Sequence, residues 1–189
     1  SLLGFLIERV KKCKDINEII IATTNNKSDD VLVQIANDLD IKIFRGDEKD
    51  VLSRYYRASL ITDCNYIVRI TGDCPLIDPS IISKTIDNFF YQNVDYLSNC
   101  FPPSFPDGLD VEVFNKDVLL KAQKECNNKN FREHVTQWIR AQDRFKISTF
   151  KSEIDYSSLR WTVDEPEDLE VIRFVVNKFN GGIDFSWKE

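Results

Sequence analysis

The sequence predicts an α/β protein built on a doubly wound, mostly parallel sheet, with a small subdomain inserted late in the chain. Three observations carry the α/β reading. Apolar runs such as Ile19-Ile20-Ile21-Ala22 do not alternate with polar residues, the pattern of strands covered on both faces. Stretches with apolar residues at helical spacing follow them, several opened by a capping residue. The connections are short, so strand and helix take turns.

Leu2, Leu3, Leu6 and Val10 stand at helical spacing, which makes Leu2 to Lys12 the first helix. The run Ile19–Ala22 is the first strand and ends in Thr23-Thr24-Asn25. Ser28 can cap the next helix, with Asp29 and Asp30 in its first turn, where the helix dipole favours carboxylates. Val31, Leu32, Ile35, Ala36 and Leu39 form its apolar face. Ile41 to Phe44 is a short strand, Asp50 to Leu60 a helix, and Tyr66 to Ile70 another buried strand. Asp78-Pro79 pairs an N-cap with proline at the first helical position and opens a helix to about Tyr91.

The rhythm then changes. Asp95 to Ser98 is read as a strand, and Phe101 to Gly108 as a loop, since it holds three of the six prolines. Leu109 to Phe114 alternates like a strand, Asn115 can cap a helix through Lys124, and Phe131 to Ala141 is read as helix. Phe145 to Phe150 alternates again, Arg160 to Val163 is a short strand, and Glu165-Pro166 opens a helix to about Phe179. Residues 1–189 are read as one domain, with about 95–155 as an insertion on the α/β core.

Composition narrows the function. The 189 residues carry a net charge of −6 and a pI near 5.0, which argues against a nucleic-acid partner, whose binder needs a basic face. No apolar run approaches the roughly 20 residues that cross a bilayer, so no membrane is expected. Cys13, Cys64, Cys74, Cys100 and Cys126 are scattered and form no C-x-x-C pair. Neither a disulfide framework nor a zinc site is expected, and a reducing cytoplasm fits best.

Ligands of open α/β sheets bind beyond the carboxyl ends of the strands. The residues there are Thr23-Thr24-Asn25, Arg45-Gly46-Asp47, Thr71-Gly72-Asp73 and Asp164-Glu165. Asp73 is the sharpest candidate: Gly72 allows close approach of a ligand, Pro75 stiffens the exit, and a lone carboxylate suits Mg²⁺. An aspartate capping a turn would look the same. Asp164 is the second candidate, although Pro166 and the acidic residues after it also fit a simple helix start. Arg69 sits within the apolar strand Ile67-Val68-Arg69-Ile70, where a charge must be paired, face a site or lie at an edge. His134, the only histidine, is a candidate substrate contact, a catalyst or a hydrogen-bonded structural residue.

Five stretches in this order resemble one family: Arg45–Tyr56 (RGDEKDVLSRYY), Val68–Pro79 (VRITGDCPLIDP), Pro106–Phe114 (PDGLDVEVF), Arg132–Thr136 (REHVT) and Arg160–Leu169 (RWTVDEPEDL). The chain resembles the cytidylyltransferases of the spore coat polysaccharide biosynthesis protein F group, relatives of the CMP-sialic acid and CMP-KDO synthetases. The resemblance implies transfer of CMP from CTP to a sugar acid, with release of pyrophosphate and with Mg²⁺ as cofactor. It implies that Asp73 and Asp164 hold the metal and that Asp73 and Arg69 serve the chemistry. Thr23, Thr24, Asn25, Thr71 and Gly72 would contact the nucleotide. Asp107, Glu112, Arg132, His134 and Arg160 would face the sugar, with Arg132 or Arg160 pairing its carboxylate. It further implies a homodimer joined through the insertion. The family wraps the triphosphate with a strand and a Gly/Arg/Lys-rich loop, which would lie ahead of Ser1, so the chain is expected to lack that loop.

Two other functions stay open at the level of sequence. A nucleotide-sugar glycosyltransferase would want a D-x-D metal motif at a strand end, where this chain has Asp73-Cys74-Pro75. A non-catalytic α/β module would bind no nucleotide in a metal-dependent way.

Overall fold

A computed structural model describes residues 1–189. Helix α1 (Leu2–Val10) is capped by Ser1, whose hydroxyl accepts from the Gly4 N–H at 3.0 Å. Strand β1 (Ile20–Thr24) pairs in parallel with β2 (Lys42–Gly46), Ile21 opposite Ile43. Helix α2 (Asp30–Asp38) joins them. Its N-cap position is Asp29, not Ser28: residues Lys27–Asp29 form a 3₁₀ turn, and the Ser28 hydroxyl donates to Asp29 instead. Helix α3 (Val51–Ser59) opens on Asp50, and α4 (Pro79–Gln92) opens on Asp78, whose carboxylate accepts from Ser80 N–H at 2.7 Å. Between them lies β3 (Tyr66–Arg69).

A second sheet of four strands has the order β3-β5-β4-β6, with β4 Tyr96–Ser98, β5 Glu112–Asn115 and β6 Ile147–Thr149. β4 and β6 run parallel, whereas β5 runs against both neighbours. The connection from β4 to β5 holds no helix, and β5 returns antiparallel beside β4. The class is α/β, with one parallel and one mixed sheet. Burial differs from the expectation of fully covered strands. β4 is buried throughout and β5 nearly so, but β1 and β3 are only half-buried, because each pairs on one side alone.

Register sorts the core. Val68, Val113 and Leu97 stand opposite one another and pack with α1 and α4 residues such as Ile7, Ile82 and Phe89. Ile67, Phe114 and Tyr96 form the other row and pack against Leu52 of α3, Leu119 of α5 (Lys116–Glu125) and Ile139 of α7 (Gln137–Arg140). Asn115 precedes α5 without a side-chain cap bond.

Two predicted elements are altered. The helix expected over Phe131 to Ala141 is broken into α6 (Lys129–Glu133) and α7 at Val135, a buried residue with φ of 52°. That angle is rare for a β-branched residue and interrupts the helical ladder. Arg160 to Val163 forms no ladder, only a bridge to Asp107. The last helix, α8 (Pro166–Lys178), carries a capping box of Glu165 and Asp168. No helix is long and apolar enough to cross a membrane. All five cysteines are free thiols, and four are buried.

Candidate functional site

Asp73 occupies the turn after β3, held by the Cys74 N–H to Thr71 carbonyl bond of 3.3 Å and by the Thr71 hydroxyl against the Cys74 sulfur at 3.1 Å. Burial, with the Asp73 charge beside it, pushes the Cys74 thiol well above its usual range, so it is a filler and not a nucleophile. A Cβ built on Gly72 would meet nothing within 4 Å, so the backbone here faces open space. The Val163 N–H donates to the Asp73 carbonyl at 2.9 Å, which brings Asp164 beside the Asp73 turn. The loop ending at Gly108 is stitched to the same segment: Asp107 N–H to Leu159 carbonyl is 3.0 Å, and Trp161 N–H to Asp107 carbonyl is 2.6 Å. Gly108, at φ +106°, is needed there, since a Cβ would lie 2.7 Å from the Trp161 carbonyl carbon. Asp73, Asp107, Arg160 and Asp164 are thus gathered on three strung-together segments. Arg160 pairs with Asp107, Asp164 and Asp168, and those bonds hold Asp168 down at about 2.

One carboxylate of this cluster, Asp110, was not singled out from sequence. Asn99 fixes its backbone, donating to the Leu109 carbonyl at 2.7 Å and accepting from the Val111 N–H at 2.8 Å. Asp110 also shares strand parity with Glu112, two residues on, which is the sequence signal that could have found it. Glu112 itself is buried with both oxygens engaged, one by Arg69 and one by the Tyr96 hydroxyl at 2.6 Å. It therefore holds Arg69 and offers no free oxygen in this arrangement. Tyr55 and Glu112 keep the guanidinium of Arg69 charged against the effect of burial.

At the end of β1, the Thr23 and Thr24 hydroxyls both donate to Asp29 at 2.6 Å, which holds that carboxyl well below the usual range. Arg45 clasps the same loop through the Thr24 carbonyl at 2.8 Å and the Asn26 carbonyl at 2.6 Å. The exposed Asn25 side chain has no protein partner and is the free donor and acceptor at this strand end. Arg132 and His134 are tied elsewhere. All five N–H donors of Arg132 are used, on Asp50, Gln123 and the Cys126 carbonyl, which straps α6 to α3 and α5. His134 is exposed at the end of α6.

Residues 1–173 match the model of the family described as cytidylyltransferase. This chain belongs to the cytidylyltransferase family. An uncharacterised Methanocaldococcus jannaschii protein is 39% identical over 90% of this chain and 70% of its own length. The Bacillus subtilis spore coat polysaccharide biosynthesis protein SpsF is 30% identical over all of this chain and 80% of its own. A solved cytidylyltransferase from Leptospira borgpetersenii superposes with a TM-score of 0.93 at 34% identity, covering 98% of this chain and 79% of that one.

Within this cytidylyltransferase, no three His, Cys, Asp or Glu side chains converge into a ready-made metal cage. An ion bound here would take one or two protein carboxylates and complete its shell with phosphate and water. Asp73 has no basic partner; its carboxylate meets only the Cys74 thiol, at 3.4 Å. One oxygen of Asp164 remains free of Arg160. Asp73, a hard oxygen donor that lacks a cation, and the free oxygen of Asp164 fit a divalent ion.

The same crowding shows in Asp110, whose carboxyl is pushed up to about 6 by burial and then by Asp107, Glu112 and Asp73, with Arg69 opposing. The buried thiols of Cys74 and Cys100 complete its surroundings. A carboxyl raised in the folded state stabilises while protonated, below its ordinary 3.8, and that contribution is lost as pH rises through about 6. Asp110→Asn should therefore match wild type near pH 4 and exceed it by about 1–2 kcal/mol near pH 8, allowing for partial exposure. Urea unfolding in chelator at the two pH values checks this; equal stability at both would remove the crowding.

Proposed function

We infer that this chain transfers CMP from CTP to a hydroxyl of a sugar acid, releasing pyrophosphate, as a step in making a surface polysaccharide. The observation that carries the reading is the turn after β3, where the unpaired Asp73 carboxylate and the open face of Gly72 adjoin the Asp164 segment. The sugar hydroxyl attacks the α-phosphorus as its proton passes to solvent, the α–β bridging bond breaks, and pyrophosphate leaves with the bonding electrons. Such transfer asks the protein chiefly to position reactants and to balance charge. Mg²⁺ held by Asp73 and Asp164 would supply that neutralisation at the phosphates. Asn25 would read the base, with Thr23 and Thr24 shaping its loop through Asp29. Thr71 and Gly72 line the approach to the phosphates, and Asp107 with Arg160 borders the acceptor side. Arg69, fixed by Glu112, would add its charge to that balance.

The Bacillus subtilis relative is named for spore coat polysaccharide biosynthesis, which supports the pathway class. The reading places the protein in the cytoplasm as a homodimer joined through residues of about 95–155. The test supplies CTP, Mg²⁺ and a panel of sugar acids and follows pyrophosphate release. CTP should be consumed with at least one acid. Consumption of UTP or ATP in its place would overturn the cytidylyl assignment, and turnover unchanged in chelator would overturn the metal.

A further inference from the structure

The arginines near the strand ends differ in what remains of their hydrogen-bonding capacity. Arg132 has no donor left, and Arg160 is shared among three carboxylates. The two guanidinium groups expected to meet an acceptor's carboxylate are thus already spent on this chain's own residues. Three other arginines keep a buried Nε with no acceptor: Arg54, Arg69 and Arg140. Arg54 leans on the Glu48 carbonyl, and Arg69 pairs with Glu112. Arg140, the last residue of α7, forms no ion pair; its guanidinium carbon lies over the Phe101 ring, 3.6 Å from the centroid.

The fold places Arg140 over the segment that leaves β4. Arg69, Glu112 and Ser98 stand in one cross-strand row on the sheet face that α7 covers through Trp138 and Ile139. Phe101 lies three residues beyond Ser98, next to Cys100, whose thiol senses the charges of Glu112, Asp110 and Arg69. The two terminal amino groups of Arg140 make no hydrogen bond within the chain, and such a pair can grip a carboxylate with two parallel bonds. A half-buried cation with no counterion is unfavourable until an anion arrives.

We propose that Arg140, held on Phe101, binds the carboxylate of the sugar-acid acceptor. This rests on the cytidylyltransferase reading for its choice of acceptor, so CTP binding is measured separately. Calorimetric titrations use N-acetylneuraminate and KDO, each beside its carboxamide, with a non-hydrolysable CTP analogue and Mg²⁺ present. At least one acid should bind the protein, and its amide should bind roughly 10- to 100-fold more weakly, the worth of one charge-assisted pair. Arg140→Gln should bind the acid no better than the amide while holding the CTP analogue as wild type does. Arg140→Lys, which keeps the charge and loses the fork, should fall between. Undiminished acid binding by Arg140→Gln, equal binding of acid and amide, or no acid bound while the CTP analogue is bound would each overturn the proposal. A protein that ignores the CTP analogue yet keeps the acid–amide difference would retain this subsite and lose the cytidylyl reading.

Discussion

Asp73→Asn should cut CTP-dependent pyrophosphate release by roughly 10²–10³-fold, the usual consequence of removing one charged group from a preorganised phosphoryl-transfer site. The fold should survive, because the bonds that shape this turn run through main-chain atoms and not through the carboxylate. Cys74 N–H reaches Thr71, and Val163 N–H reaches the Asp73 carbonyl. The carboxylate itself accepts only from the Cys74 thiol, a weak donor whose absence the turn can bear. A second readout separates charge from shape. Asp73 is one of the charges that raise Asp110, so its neutralisation should move the Asp110 carboxyl down toward the ordinary carboxylate range. Retained turnover with a lowered Asp110 titration would mean that the charge is present but chemically idle. Abolished turnover with a lowered unfolding midpoint would mean that Asp73 is structural.

What could be read from the sequence was what is decided locally. The Asp78-Pro79 cap is an interaction between neighbours in the chain, and it appears where it was expected. The apolar run at Ile19–Ala22 marks β1 for the same reason. Its degree of burial could not be read, because that depends on which strand lies alongside, and β1 has a partner on one edge only. The direction of β5 could likewise not be read, because the long 99–111 connection permits either one. Phe131, Val135, Trp138 and Ile139 have the spacing of one helix, yet Val135 takes a left-handed angle and splits it; packing of its side chain in the core overrides the local pattern.

The candidate site divides along the same line. Asp73, Asp107, Arg160 and Asp164 lie at strand ends or in loops that the order of elements brings together, and the hydrogen bonds through Gly108, Trp161 and Val163 join their segments. The state of each side chain depends on distant partners. Arg132 is taken up by Asp50, 82 positions away, and Glu112 by Arg69, 43 positions away. A lone sequence presents each of these as an available charge. Asp110 was visible within PDGLDVEVF, but its importance comes from three acidic neighbours that only the folded chain assembles.

The largest loss of stability is expected from Arg9→Ala, about 3–5 kcal/mol in urea unfolding. Arg9 is fully buried on α1. It donates to the Ile77 carbonyl at 2.7 Å, the Ile183 carbonyl at 2.7 Å and the Phe185 carbonyl at 3.1 Å, and its guanidinium sits 4.2 Å from the Phe185 ring centroid. Burial lowers its affinity for the proton, while Asp78 and Asp184 oppose that. Asp78 in turn accepts from the Trp187 N–H at 2.7 Å, so one charged group and its neighbour clasp the chain's last residues to α1 and to the start of α4. Alanine would leave a cavity and three unsatisfied carbonyls together. Arg9→Met separates the two costs: it refills most of the volume but donates nothing. Methionine should recover only about 1–2 kcal/mol of the loss, with Trp187 fluorescence reporting release of the C-terminal segment before global unfolding. Full recovery by methionine would show that volume, and not the three donated bonds, holds that segment in place.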